Sequence, residues 1–199
     1  MQIIGFTGPR GSGKTVTSKM IKSILADVRD VYCLSFADYL REWIEIAIDP
    51  MVTHWSKDRV LKDKELGWLE MAGSFHNDLS DRKFTVKLES QLSPRDIMIG
   101  AGTFLRSIDQ EVFCKALGAR IDSIENKENS LVVIDDLRFD NEHAWLKSLE
   151  LVSDSPYLVD IIHLDRTDID LDSREVNDYI SYEYCDMMYV PTTYNNPYD

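Results

Sequence analysis

The residues best equipped for chemistry come early, in the run Gly8-Pro9-Arg10-Gly11-Ser12-Gly13-Lys14-Thr15. Its spacing is G-x-x-x-x-G-K-[ST]. It falls between an apolar run, Ile3-Ile4-Gly5-Phe6, and a helical pattern with Val16, Met20, Ile21, Ile24 and Leu25. Glycines leave a loop open enough for successive backbone N–H groups to turn toward an anion. A helix starting near Gly13 adds the positive end of its dipole and its unpaired N–H groups. Lys14 can then reach the β- and γ-oxygens of a polyphosphate, and the Thr15 hydroxyl can supply one ligand to Mg2+. A chance glycine-rich turn is the plain alternative. Residue types, spacing and flanking elements together favour a nucleotide-phosphate loop using Gly8, Arg10, Gly11, Ser12, Gly13, Lys14, Thr15 and Val16.

A second group of candidates is acidic and basic. Leu131-Val132-Val133-Ile134-Asp135-Asp136 is an apolar run ending in two carboxylates. Mg2+ takes hard oxygen ligands and keeps several waters, so one such carboxylate, direct or through water, suffices beside the loop. Arg138 follows two residues later, where a guanidinium fork either compensates phosphate charge or pairs with Asp140 or Glu142. Asp38 and Arg41 open another helical pattern; Asp38 is equally a plain helix-start acid. Arg95 and Arg106 flank an apolar helix, and either can serve an acceptor phosphate or sit on the surface. His54, His76, His143 and His163 show neither ligand spacing nor a nucleophile partner. His163 alternates within an apolar strand and reads as a core or edge residue.

The elements that must position these residues alternate. Residues 1–7 read as a buried strand and 13–28 as the helix after the loop. Val31 to Leu34 form a second strand, and a helix carrying Leu40, Trp43, Ile44, Ala47 and Ile48 stops at Asp49-Pro50. Residues 50–92 hold mixed charge and scattered aromatics without a clean period, which predicts an inserted region of short helices or a flap, with Ser80 to Phe84 as a loop tip. Ser93-Pro94-Arg95-Asp96 is a helix start, with Ser as cap and Pro in the first position. A second helix begins near Asp109. Leu131 to Asp136 is a buried parallel strand with its acids at the carboxyl edge, where open α/β sheets bind ligands. A helix over 140–150, a strand over Leu158 to Leu164, a short helix near 173–182 and a last strand at Met187 to Val190 complete the pattern. This predicts one three-layer α/β domain over 1–199, with a parallel sheet of about five strands.

Composition narrows the class further. The net charge of −13 over 199 residues repels a nucleic-acid backbone, so polymeric DNA or RNA is not an expected partner. Cys33, Cys114 and Cys185 are three in number, widely spaced and without C-x-x-C, unlike a zinc site or disulfide framework, and read as core thiols. With no signal peptide and no membrane-length apolar run, a cytoplasmic protein is expected. The sequence fixes no oligomeric state; a homodimer is compatible with it.

Three further segments carry a family resemblance. Phe36-Ala37-Asp38-Tyr39-Leu40-Arg41 resembles the F-A-D-P-L-K segment of phage deoxynucleoside monophosphate kinases. Pro94-Arg95 with Gly102-Thr103-Phe104-Leu105-Arg106-Ser107-Ile108-Asp109 is similar to their P-R-x-x-L-Q-x-x-G-T-x-x-x-R-x-I-D helix pair. Asp136-Leu137-Arg138-Phe139-Asp140-Asn141-Glu142 is similar to their D-V-R-F-x-N-E. Tyr39 stands where the family usually has proline, and Asp172-Ser173-Arg174-Glu175 where it tends to show H-x-S-E.

The resemblance implies a P-loop NTPase fold with a mostly helical acceptor-binding insertion at about 50–92. It implies transfer of the γ-phosphoryl group of ATP, with Mg2+, to a dNMP. By position, Gly8 to Thr15 and Val16 would hold ATP, with Arg166 covering it from a lid-like loop at 166–175. Lys14, Asp136 and Arg138 would be catalytic, and Thr15 with Asp135 or Asp136 would serve the metal. Asp38, Arg41, Arg95, Arg106, Arg138 and Glu142 would line the dNMP. Two other readings share the loop: another small-molecule kinase, such as one acting on dephospho-coenzyme A, and an NTP-dependent switch, though no N-K-x-D segment is present.

Overall fold

The computed structural model describes residues 1–48, 50–57, 60–77, 80–90, 92–152, 155–165 and 187–189, with the backbone alone for 50–51, 67–77, 80–90 and 187–189. The chain folds as two compact units, Met1–Phe36 with the chain from Cys114 onward, and Ala37–Phe113. The second unit is thus an insertion wider than the expected 50–92.

The first unit is α/β. Its sheet is parallel, in the order β2 (Asp30–Leu34), β5 (Ser130–Ile134), β1 (Gln2–Thr7) and β6 (Leu158–Leu164), with the three-residue β7 (Met187–Tyr189) beside β6. The strands are apolar because both faces are covered. On one face Phe6, Val31, Leu131, Val133 and Leu164 form a buried cluster, against which Ile21 and Leu25 of α1 (Lys14–Leu25) pack. On the other lie Ile3, Val132, Ile134 and Ile161, all fully buried. Gly5 lets α6 (Asp140–Leu151) come close here: a β-carbon on Gly5 would stand 3.2 Å from Leu137 and 3.3 Å from Leu146. Helix α5 (Val112–Asp122) joins this layer through Gly118, where a β-carbon would stand 3.2 Å from the Trp145 ring.

The parallel register sets Gly5 beside Ile134 and Ile161, and Thr7 beside His163. Consequently the glycine-rich loop after β1, the two acids after β5 and Ser35 after β2 all emerge at the carboxyl edge of one sheet.

The second unit begins with most of α2 (Phe36–Ala47), followed by α3 (Pro50–Lys57) and a single 3-10 turn, Leu61–Asp63. The expectation of a mostly helical insertion fails beyond that point. Residues Gly67–Asn77 and Ser80–Ser90 are β3 and β4, an antiparallel pair forming a sheet of their own. Ser80 to Phe84, read as a loop tip, start β4. The register explains the error. Leu69 pairs with Leu88 and Met71 with Val86, while Glu70 pairs with Lys87 and His76 with Asp81. Apolar and charged pairs alternate with period two over 69–71, as strands require, but Ala72-Gly73-Ser74 and the mixed pair of Phe75 with Arg82 blur that alternation. Helix α4 (Pro94–Ile108) follows, and its cap is the one the sequence predicts: Ser93 Oγ accepts from the Asp96 N–H at 3.2 Å, and Asp96 Oδ2 accepts from the Ser93 N–H at 2.9 Å. The core of this unit includes Leu40, Ile44, Val52, Leu66, Ile97 and Phe113.

Among the described residues no helix is long and apolar enough to cross a membrane. Cys114 is buried, as expected of a core thiol, whereas Cys33 is exposed, and Cys185 lies outside the described residues. Arg166, the 166–175 loop, the 173–182 helix and the chain from Val190 on also lie outside them.

Candidate functional site

The loop after β1 depends on three glycines with positive φ: Gly8 at 128°, Gly11 at 82° and Gly13 at 93°. Gly8 is required twice over. Besides its backbone angle, a β-carbon there would stand 2.0 Å from the carbonyl oxygen of Leu164, the last residue of β6. Gly13 caps α1 in the left-handed region, and the first helical bond runs from Thr17 N to Gly13 O at 2.8 Å. No acidic residue occupies the first turn of α1. Instead Lys14 stands at the positive end of the helix, and its ammonium donates to the carbonyls of Gly8 at 2.6 Å and Pro9 at 2.7 Å and to Ser12 Oγ at 3.3 Å. Helix N–H groups and a lysine without a neutralising first-turn acid make an electropositive cradle suited to an anion. Ser12 is buried in the loop, while Arg10, Thr15 and Val16 are exposed at its mouth.

The two acids after β5 diverge. Oδ2 of Asp136 accepts from the Ser35 hydroxyl, and its Oδ1 accepts from the Phe36 N–H at 2.9 Å. The Asp135 charge acts on Cys33, whose thiol lies 3.7 Å from the Ser18 carbonyl of α1. Partial desolvation pushes that thiol's pKa up although the residue is exposed overall, Lys22 draws it down and Asp135 raises it again. His163, in register with Thr7 beside the loop, is buried. That burial lowers its pKa, Asp165 raises it and the Lys14 charge lowers it further.

Arg138 is exposed beyond this edge. Glu142, implied by the resemblance to touch the acceptor, is only 2% exposed and accepts from the N–H groups of Arg138 at 3.1 Å and Phe139 at 3.2 Å. It therefore caps α6 and holds the backbone that presents Arg138.

In the second unit, Asp38 and Arg41 pair at 3.0 Å in the first turns of α2. Leu40 between them packs at Gly102 of α4, where a β-carbon would stand 3.3 Å from both Leu40 and the Arg106 guanidinium. Arg106 lies over the Phe113 ring at 4.5 Å, and Tyr39 packs edge-on to the same ring at 6.3 Å. The structure thus gathers Asp38, Arg41 and Arg106 around one helix contact. Arg95 is set apart: eleven residues before Arg106 on α4, it lies about 16 Å away along the axis and pairs with Asp63 at 2.7 Å.

Sequence reasoning missed Ser35 and Leu164. A small hydroxyl residue directly before a helix start was the available signal for Ser35; nothing local marks a backbone carbonyl such as that of Leu164.

Among the described residues no cluster of three or more His, Cys, Asp or Glu side chains could cage a metal. The exposed Thr15 hydroxyl and the partly exposed Asp135 fit Mg2+, an ion that takes the rest of its shell from phosphate and water. No family model matches the chain, and no curated protein shows significant similarity to it.

Proposed function

We propose that this protein is an ATP- and Mg2+-dependent kinase of the P-loop class that phosphorylates a deoxynucleoside monophosphate. The observation that carries the proposal is the loop after β1: three positive-φ glycines, one closed against Leu164, with Lys14 folded over the carbonyls that ring the phosphate position. That arrangement suits an anion in the cradle. The family reading of Asp38, Arg41 and Arg106 is supported by their gathering on α2 and α4, where two guanidinium groups suit a phosphate-bearing acceptor.

The acceptor oxygen of a monophosphate is already anionic, so no protein nucleophile or strong base is needed. The loop N–H groups and Lys14 would orient the donor phosphates and neutralise charge as it shifts toward the leaving group. Mg2+, on Thr15 and Asp135, would supply further charge neutralisation. Arg138, held by the capped start of α6, would supply a mobile cation at the carboxyl edge of the sheet. A cytoplasmic setting, where ATP is supplied, goes with this reading.

The test is Lys14→Ala. It is expected to lower kcat by about three orders of magnitude or more, with the thermal unfolding transition retained. Near-normal turnover in the variant sinks the proposal.

A further inference from the structure

We propose that Asp136 and Ser35 are a positioning pair that fixes the first turn of α2, and with it Asp38 and Arg41, for the acceptor, leaving the metal-side carboxylate to Asp135; this rests on the kinase reading above. Three observations converge on it. First, both Asp136 oxygens are engaged, one by the Ser35 hydroxyl and one by the Phe36 N–H, from a residue a hundred positions away in the chain. Phe36 is the first residue of α2, so a carboxylate from β5 does the work that a local N-cap side chain would do. Its negative charge also lies at the positive end of the helix.

Second, the two acids meet different helices. The Asp135 charge acts on Cys33, whose thiol lies 3.7 Å from the Ser18 carbonyl of α1, the helix that presents Thr15. Asp136 bonds instead to Ser35 and to the start of α2. A cation bound near Thr15 therefore has Asp135 as the carboxylate on the α1 side.

Third, α2 is pinned at two places within its first turns. Phe36 is bonded to Asp136 and packs edge-on to Trp145 at 6.0 Å, and Leu40 packs at Gly102. Asp38 and its partner Arg41 stand on this stretch. Loosening the Asp136 end frees the helix start that carries them while leaving the phosphate loop untouched.

The experiment compares Asp136→Asn, Ser35→Ala, Ser35→Thr and Asp135→Asn by three readouts: hydrogen exchange of the α2 first-turn amides, Mg2+ titration of the ATP-bound protein by calorimetry, and separate KM values for ATP and for the dNMP. The proposal expects faster α2 exchange and a dNMP KM raised about tenfold in Asp136→Asn and Ser35→Ala, with the ATP KM and Mg2+ affinity within about twofold of wild type. Ser35→Thr, which keeps the hydroxyl, restores both values. Asp135→Asn lowers Mg2+ affinity about tenfold with α2 exchange unchanged. A fall in Mg2+ affinity in Asp136→Asn equal to that in Asp135→Asn overturns the proposal. So does unaltered α2 exchange in both Asp136→Asn and Ser35→Ala, the latter covering the case where the former does not fold. A wild-type protein that binds no ATP refutes the kinase reading instead, and the acceptor role falls with it.

Discussion

Replacing Gly8 by alanine tests the loop at its tightest point, and the structure sets the size of the effect. The β-carbon would lie 2.0 Å from the Leu164 carbonyl oxygen, whereas contacts under 3.0 Å are essentially never seen, so loop or strand must give by at least 1.0 Å, the difference of the two. Forcing an L-residue to φ 128° adds strain, of about 1–3 kcal/mol. Overpacking against a backbone atom that cannot rotate away adds about 1–3 kcal/mol more. A total of about 4 kcal/mol lowers the Tm of a chain this long by about 12 °C.

Gly13→Ala is the internal control. Its φ of 93° is also positive, but nothing lies within 4 Å of the added carbon. It incurs strain alone, about 1–2 kcal/mol, and a Tm drop of about 4 °C. Differential scanning calorimetry of both variants beside wild type separates the two costs. In parallel, a loop displaced by an ångström lowers turnover by about 100-fold. If Gly8→Ala melts within about 3 °C of Gly13→Ala, the close approach of loop and β6 described here is wrong.

Three other expectations follow from particular contacts. Ser93→Ala removes the α4 cap and is expected to cost about 1 kcal/mol, read as a lower urea midpoint with unchanged m-value. Gly102→Ala pushes on Leu40 and the Arg106 guanidinium at 3.3 Å each, and is expected to raise the dNMP KM while the ATP KM holds; an unchanged dNMP KM argues against Arg106 as an acceptor group. Buried His163 titrates below its usual 6.5, so its contribution to stability is full above that pH and is lost as pH falls through the lower folded-state value. His163→Gln should therefore flatten the loss of unfolding free energy between pH 7 and 5; an unchanged slope refutes the assignment.

How much was legible in the sequence depended on how local the signal was. The loop, its strand and its helix could be read because a tight strand-to-helix turn dictates residue type at fixed spacing, and Gly8, Gly11 and Gly13 do take the backbone angles that only glycine accepts freely. The α4 start was legible because its signals are local: Ser93 and Asp96 satisfy each other's N–H groups, and Pro94 between them has no N–H to satisfy. The β3–β4 pair was not, because its logic lies across strands: Glu70 makes sense opposite Lys87, and Met71 opposite Val86. The acids after β5 were visible as a pair, but their different partners were not: Asp136 bonds to Ser35 and Phe36, a hundred residues away in the chain. Glu142 illustrates the converse. A motif position implied to touch substrate is buried as the cap of α6, and only burial and hydrogen-bond partners reveal that.

The central claim is tested most directly by a coupled ADP-release assay with ATP, Mg2+ and each dNMP in turn, beside a control without acceptor. The kinase account predicts release that depends on one or more dNMPs, with the matching dNDP formed. ADP release that is the same with and without acceptor, or none with any dNMP, would contradict it.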